Sequence, residues 1–144
     1  MAIKIRIGSL ENCVDLSFKI PEFNSPYEIK EYKKRCAGKH LALIAEIDNQ
    51  PVGFKVGYDR FNNGSFYSWM GGVLPDFRQK GVVSLLADLQ ENWAIINEYN
   101  SILLKTRKKH KAMIPFSLKR GFTITEENRM NLNEETRIWM EKVF

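Results

Sequence analysis

Apolar and polar side chains alternate from the start of the chain. Ile3, Ile5 and Ile7 are separated by Lys4 and Arg6, the period-two pattern of a strand with one buried face. Ser9 can cap a short helix running to about Phe18, and Pro21 stops it. Ser25-Pro26-Tyr27-Glu28 then sets a cap, a first-turn proline and an acidic residue in capping-box order, which predicts a helix reaching about Cys36 before Gly38. Both helical segments carry few bulky apolar residues and are expected on the surface.

Leu41 to Ile47 and Val52 to Tyr58 read as strands around the turn Asp48-Asn49-Gln50-Pro51. Asn63-Gly64, a pair that tolerates positive φ, separates the second of these from Phe66 to Met70, so three strands form an antiparallel meander. Between Gln79 and Tyr99, Val82, Leu85, Leu86, Leu89, Trp93 and Ile96 recur at helical steps and mark the longest amphipathic helix. Ile102 to Leu104 is a short apolar strand, and strand, helix, strand in this order predicts a right-handed crossover and a parallel pair. A helix over about Lys109 to Leu118, ended by Arg120-Gly121, and strands near Phe122 to Thr125 and Arg137 to Val143 complete an α/β pattern. Trp93 and Trp139 sit in apolar patterns and are expected in the core, whereas Trp69 is placed to line a cleft.

At 144 residues the chain suits one domain over 1–144, and no repeat or Pro/Gly/Ser linker divides it. A chain of this size can bury roughly 68% of its unfolded surface, so its core needs no metal or disulfide. Two cysteines and an N-terminus lacking a charged-then-apolar segment point to a reducing cytoplasm. No apolar run approaches the ~20 residues of a membrane span. Cys36 and His40 have helical ligand spacing, but Gly38 interrupts them, so no metal is expected. A net charge of +5 favours anionic partners without choosing between nucleic acid and a phosphorylated cofactor. Phosphate-loop, dinucleotide and nucleophile-elbow glycine motifs do not occur, which argues against nucleotide hydrolysis, dinucleotide redox chemistry and serine hydrolysis.

The stretch Gly71-Gly72-Val73-Leu74-Pro75-Asp76-Phe77-Arg78-Gln79-Lys80-Gly81-Val82-Val83 joins a strand end to the long helix. The first N–H groups of a helix have no internal partners and lie at the positive end of its dipole, so they can bind a pyrophosphate. Gly81 allows close approach, and Arg78 and Lys80 add charge. The same residues also read as a basic loop with a glycine turn.

This junction resembles that of the GNAT acyltransferases, which have Val-x-Pro-x-x-Arg-x-x-Gly-x-Gly/Ala there; Val73, Pro75, Arg78 and Gly81 match. The resemblance extends to Gly121-Phe122 and to the final strand holding Trp139-Met140-Glu141-Lys142, covering roughly Leu41 to Phe144. It implies a mixed, mostly antiparallel sheet flanked by helices, splayed where the strand ending near Val73 meets the parallel strand near Ile102. It also implies acetyl-CoA as co-substrate, its pyrophosphate on the amides of Arg78, Gln79, Lys80, Gly81, Val82 and Val83, and its pantetheine arm along Gly71, Gly72 and Val73. Val83 stands where the family has a small residue. Ser117 falls at the family's thiolate-protonating tyrosine, and His110 at an asparagine near the pantetheine.

Thiolate with a pKa near about 8.5 can leave at neutral pH without a proton donor, whereas a lysine-like amine is free base in only roughly one molecule in 2500. The family often removes that proton with a carboxylate on a central strand, yet Phe66 to Met70 carries none. Glu46 and Asp59 on neighbouring strands and Tyr67 by the cleft are the available groups, and each also reads as structural. Lys105, Arg107, Lys108, Lys109 and Lys111 read as a solvated face or as a site for the extra phosphate of CoA. Aromatics do not alternate with them, which makes nucleic acid the weaker partner class.

The resemblance therefore implies an N-acetyltransferase that moves an acetyl group from acetyl-CoA to a small-molecule or peptide amine by direct attack in a ternary complex. A CoA-binding module whose chemistry has decayed is the alternative. Exposed strand edges near the C-terminus leave room for a homodimer.

Overall fold

A computed structural model of the protein describes residues 2–144. Its strands are β1 (Ile3–Ile7), β2 (His40–Ile47), β3 (Gln50–Tyr58), β4 (Ser65–Val73), β5 (Ser101–Arg107), β6 (Thr123–Asn128) and β7 (Arg137–Val143). Its helices are α1 (Leu10–Ser17), α2 (Ile29–Arg35), α3 (Val82–Ile96) and α4 (Met113–Lys119). The seven strands form one sheet in the order β1-β2-β3-β4-β5-β7-β6, antiparallel throughout except for β4 with β5. The crossover through α3 thus joins the one parallel pair, as the strand, helix, strand pattern predicts. No helix among the described residues is long and apolar enough to cross a membrane.

Local chemistry sets the turns. Asp48 and Asn49 both have positive φ, at 52° and 66°, which closes the β2–β3 hairpin in two residues and lets β3 begin at Gln50. Ser9 caps α1 by accepting from the Asn12 amide at 3.1 Å. Gly121, at φ 95°, ends α4 while the Phe122 amide donates back to Ser117 O at 3.0 Å.

Alternation along the strands divides the core between the two faces of the sheet. On one face α3 covers Leu41, Leu43, Ala45, Phe66, Val73, Ile102, Leu104 and Met140. On the other, Cys13, Val14, Leu16, Tyr32 and Cys36 pack on Ala42, Ile44, Phe54, Val56, Tyr58 and Tyr67. The N-terminal helices are therefore not surface elements as their composition suggests. Tyr32 is fully buried, so one large aromatic and several small apolar residues make the second core. Nor does the Ser25 capping box form: the second helix starts at Ile29 behind Glu28, which makes no side-chain cap.

Candidate active site

β4 and β5 share only the rungs Ser65–Ser101 through Ser68–Leu104. Beyond them β4 follows β3, pairing Met70 with Val56 and Val73 with Gly53, while β5 follows β7, pairing Lys105 with Trp139. A bulge between Val56 and Gly57 leaves Trp69 unpaired and bends β4 away from its parallel neighbour. The sheet is split at its centre, and the edge of β4 at Gly71 and Gly72 has no strand beside it on that side.

The chain leaves this edge through a short 3₁₀ turn, Pro75–Phe77, and enters α3 by way of two left-handed residues, Gln79 at φ 61° and Gly81 at φ 87°. Alternating handedness turns neighbouring amides toward one point and makes an anion-binding concavity. No side chain caps α3. Among the described residues, none of the N–H groups from Gln79 to Ser84 donates to a protein acceptor. Val82 is 2% exposed and locks the first turn into the core, whereas Val83 is 40% exposed and points its branched side chain outward.

Arg78 does not aim its charge at this row of amides alone. Its Nε donates to Val73 O at 3.0 Å, and its two terminal nitrogens donate to both carboxylate oxygens of Glu22 at 2.8 and 2.7 Å. That hydrogen bond is the main reason the Glu22 carboxyl is held below its usual range. His110 lies close enough to Glu22 to feel its charge; burial first, then Lys109 and Arg107, lowers the imidazole pKa.

The other residues singled out from sequence are dispersed. Glu46 lies on β2, two strands from β4, with Arg6 at 3.3 Å. Asp59 accepts from the Asn62 amide and from Tyr99 Oη, each at 3.0 Å, and so organises the β3–β4 loop. Tyr67 is 2% exposed, and burial raises its phenol pKa. Ser117 is 1% exposed, with an Oγ that has no hydrogen-bond partner. The basic run is mostly tied down: Arg107 and Lys109 reach Glu135 at 3.4 and 3.2 Å, and Lys108 reaches Glu127 at 2.8 Å.

Sequence reasoning set Tyr67 and Trp69 by the cleft but missed the larger aromatic floor they join on the α1/α2 face of the split. Tyr58 meets both Tyr67 and Trp69 edge to face, and Tyr67 continues to Phe61 and Trp139. Trp139 is half-buried there rather than enclosed in the core. The signal was obscured because these rings come from strands far apart in sequence and alternate with core residues of the opposite face.

A profile of the acetyltransferase (GNAT) family matches residues 10–122. The chain belongs to that family. Known structures share the GNAT fold over nearly the whole length. The ribosomal-protein-S18-alanine N-acetyltransferase from Escherichia coli has a TM-score of 0.85 at 14% identity, covering 99% of this chain and 94% of its own. Ard1 from Thermoplasma volcanium gives 0.83 at 20% identity, with 99% and 98% coverage. The PaiA N-acetyltransferase from Thermoplasma acidophilum, in complex with coenzyme A, gives 0.76 at 16% identity and spans 100% of both chains. No curated protein sequence gives a significant match. In this GNAT acetyltransferase the split and the free amides stand side by side, on consecutive segments of one stretch of chain.

Proposed function

We propose that this acetyltransferase moves an acetyl group from acetyl-CoA to a primary amine, both substrates being bound together. The observation that carries the reading is the row of unpartnered amides from Gln79 to Ser84 at the uncapped start of α3. Backbone donors at the positive end of a helix suit a pyrophosphate and need no side-chain cation. The free β4 edge at Gly71 and Gly72 suits an extended amide-bearing arm, and the Ser117 hydroxyl, buried and unpartnered, stands at the family's tyrosine position on the thiol side of the reaction. His110 and Lys80 stand near the loop as further polar contacts, with Arg78 shaping it. Acetyl-CoA supplies the activated thioester; the protein supplies position and donors that polarise its carbonyl.

Neither β4 nor β5 carries a carboxylate, and Glu46 and Asp59 are engaged elsewhere. An amine that needs little help losing its proton therefore suits this site best. An α-amine of pKa about 7.8 is free base in roughly one molecule in seven at pH 7, far above a lysine side chain. The relative from Escherichia coli is an alanine N-acetyltransferase, consistent with an α-amine acceptor on this fold.

Calorimetric titration with acetyl-CoA, followed by thiol release in the presence of peptides, amino acids, polyamines and aminoglycosides, tests the proposal. Saturable binding and release with at least one α-amine are expected. No binding at millimolar acetyl-CoA contradicts it. Tight binding with no release across the panel favours a binding module, the reading to which the missing strand carboxylate lends weight.

A further inference from the structure

The rim of the split on the α1/α2 face holds two cations, Arg60 and Lys105, that rest on aromatic rings. Trp69 and Lys105 are the first residues beyond the last shared rung of β4 and β5. The Lys105 ammonium lies 5.3 Å from the ring centre of Trp139. The Arg60 guanidinium lies 4.9 Å from the Tyr67 ring centre, 5.1 Å from that of Phe61 and 5.6 Å from that of Trp139. Arg35, on the same face, is occupied by Glu31 at 3.2 Å and Tyr58 Oη at 3.1 Å. Arg60 and Lys105 have no ion pair among the described residues, although most other clustered cations of the chain do.

Burial is the first cause lowering the Lys105 pKa, and the charges that lower it further are Arg60, Arg137, Arg35 and Arg107, all positive. Like charges gathered over aromatic faces gain some cation–π attraction but repel one another. Beside them lies a shallow cavity of about 400 Å³ lined by Phe61, Asn63, Leu103, Thr125, Glu126 and Trp139. Its carboxylate, Glu126, pairs with Trp139 on the side away from Lys105 and forms no ion pair with either cation. Phe61, Leu103 and Trp139 give it an apolar floor, Asn63, Thr125 and Glu126 a polar far wall, and the two cations lie over its aromatic rings on the side toward the split.

Resting on the acetyl-transfer reading, we propose that the acceptor is a peptide-like amine with a carboxylate close to the reacting nitrogen, held by Lys105 and Arg60 over the Tyr67–Trp139 floor. The α1/α2 face then receives the amine, while the amide row belongs to the start of α3 on the other face. The thioester and the amine meet through the split. Polyamines, aminoglycosides and basic peptides would bring positive charge into a field that is already positive, and the site discriminates against them.

The test uses three dipeptides amidated at the C-terminus, phenylalanyl-glutamate, phenylalanyl-glutamine and phenylalanyl-(ε-N-trimethyl)lysine, each with one acylatable amine and the same aromatic body. Each is assayed for thiol release at saturating acetyl-CoA and titrated calorimetrically into protein with CoA and without it. The glutamate peptide is expected to exceed the lysine peptide by at least about tenfold in kcat/KM and in affinity. In the doubly substituted Arg60→Gln, Lys105→Gln protein that gap closes to about twofold while the acetyl-CoA Kd stays unchanged, and the Arg60→Gln, Lys105→Glu protein reverses the order. A lysine peptide that binds or reacts as well as the glutamate peptide overturns the inference, as does a gap that survives the double substitution or a glutamate peptide that fails to bind at millimolar concentration. If acetyl-CoA itself does not bind, the transfer reading falls, and the dipeptide titration without CoA still reports the sign of the rim.

Discussion

Arg78 and Glu22 form a two-pronged ion pair, at 2.8 and 2.7 Å, that ties the loop ahead of α3 to the segment following α1. The third guanidinium bond, to Val73 O, fixes the same side chain to the end of β4. Arg78 is thus a brace between the turn that offers the free amides and the opposite face of the sheet, with its charge already matched.

Removing the match tests this role. Glu22→Gln is expected to leave acetyl-CoA affinity unchanged or tighten it by up to about threefold, since it frees a cation beside the amide row, and to cost at most about 1 kcal/mol as an exposed pair. Calorimetry and urea unfolding measure the two effects. The stabilisation from the lowered Glu22 carboxyl is full above the ordinary value near about 4.3 and is lost as pH falls through the lowered one. A fall of more than about tenfold in affinity would show instead that the pair is needed to shape the loop.

Gly81 and Gly57 should fail for different reasons when given a methyl group. A Cβ at Gly81 meets nothing within 4 Å, so Gly81→Ala carries only the strain of φ 87°, about 1–2 kcal/mol. A Cβ at Gly57 would overlap the Phe66 ring and lie 2.8 Å from Tyr67 O, and backbone cannot yield, so Gly57→Ala should cost about 2–3 kcal/mol or more. Thermal unfolding of both variants checks the order. Equal losses would mean that β3 and β4 do not approach as closely as described.

Lys55 is a half-buried ammonium on β3, opposite Gly71. Burial pushes it down to about 8, with Glu91 opposing and Arg120 adding to the fall. Because the folded state prefers the neutral amine, the penalty is complete below about 8 and disappears as pH rises toward the unfolded value near about 10.4. Lys55→Met is therefore expected to stabilise the protein by about 1–3 kcal/mol at pH 7 and to flatten its pH dependence between about 8 and 10. Urea unfolding across that range measures it, and a destabilised variant refutes it.

Glu91 shows the reverse case. It is 7% exposed on α3 and accepts from Arg120 at 2.8 Å and from Lys142 at 2.6 Å, joining α3 to the end of α4 and to β7. Glu91→Gln leaves two cations short of a partner and should cost about 3 kcal/mol. A loss below about 1 kcal/mol in urea unfolding would mean that solvent screens the network.

Short apolar runs bounded by turns and the α3 periodicity made the sheet and the crossover legible, whereas the split followed from the family resemblance at the junction ahead of α3. The amide row was legible from Gly81 and the strand-to-helix junction, although the second left-handed residue, Gln79, left no mark in its side chain. Long-range pairing was not. Nothing near Arg78 in sequence names Glu22, nothing near Glu91 names Lys142, and the charges at Arg107, Lys108 and Lys109 look free until Glu127 and Glu135 fold back on them. The second core escaped notice for the same reason: Tyr32 is one aromatic in a helix of charged residues, and only its burial reveals its weight.

The central claim is that main-chain nitrogens at the start of α3 hold the pyrophosphate, and amide-resolved NMR of ¹⁵N-labelled protein titrated with acetyl-CoA tests it most directly. The largest shifts are expected at Gln79 through Ser84, with smaller ones at Gly71 and Gly72. Unmoved resonances from Gln79 to Ser84 at saturating ligand, with the shifts confined to other segments, would contradict it.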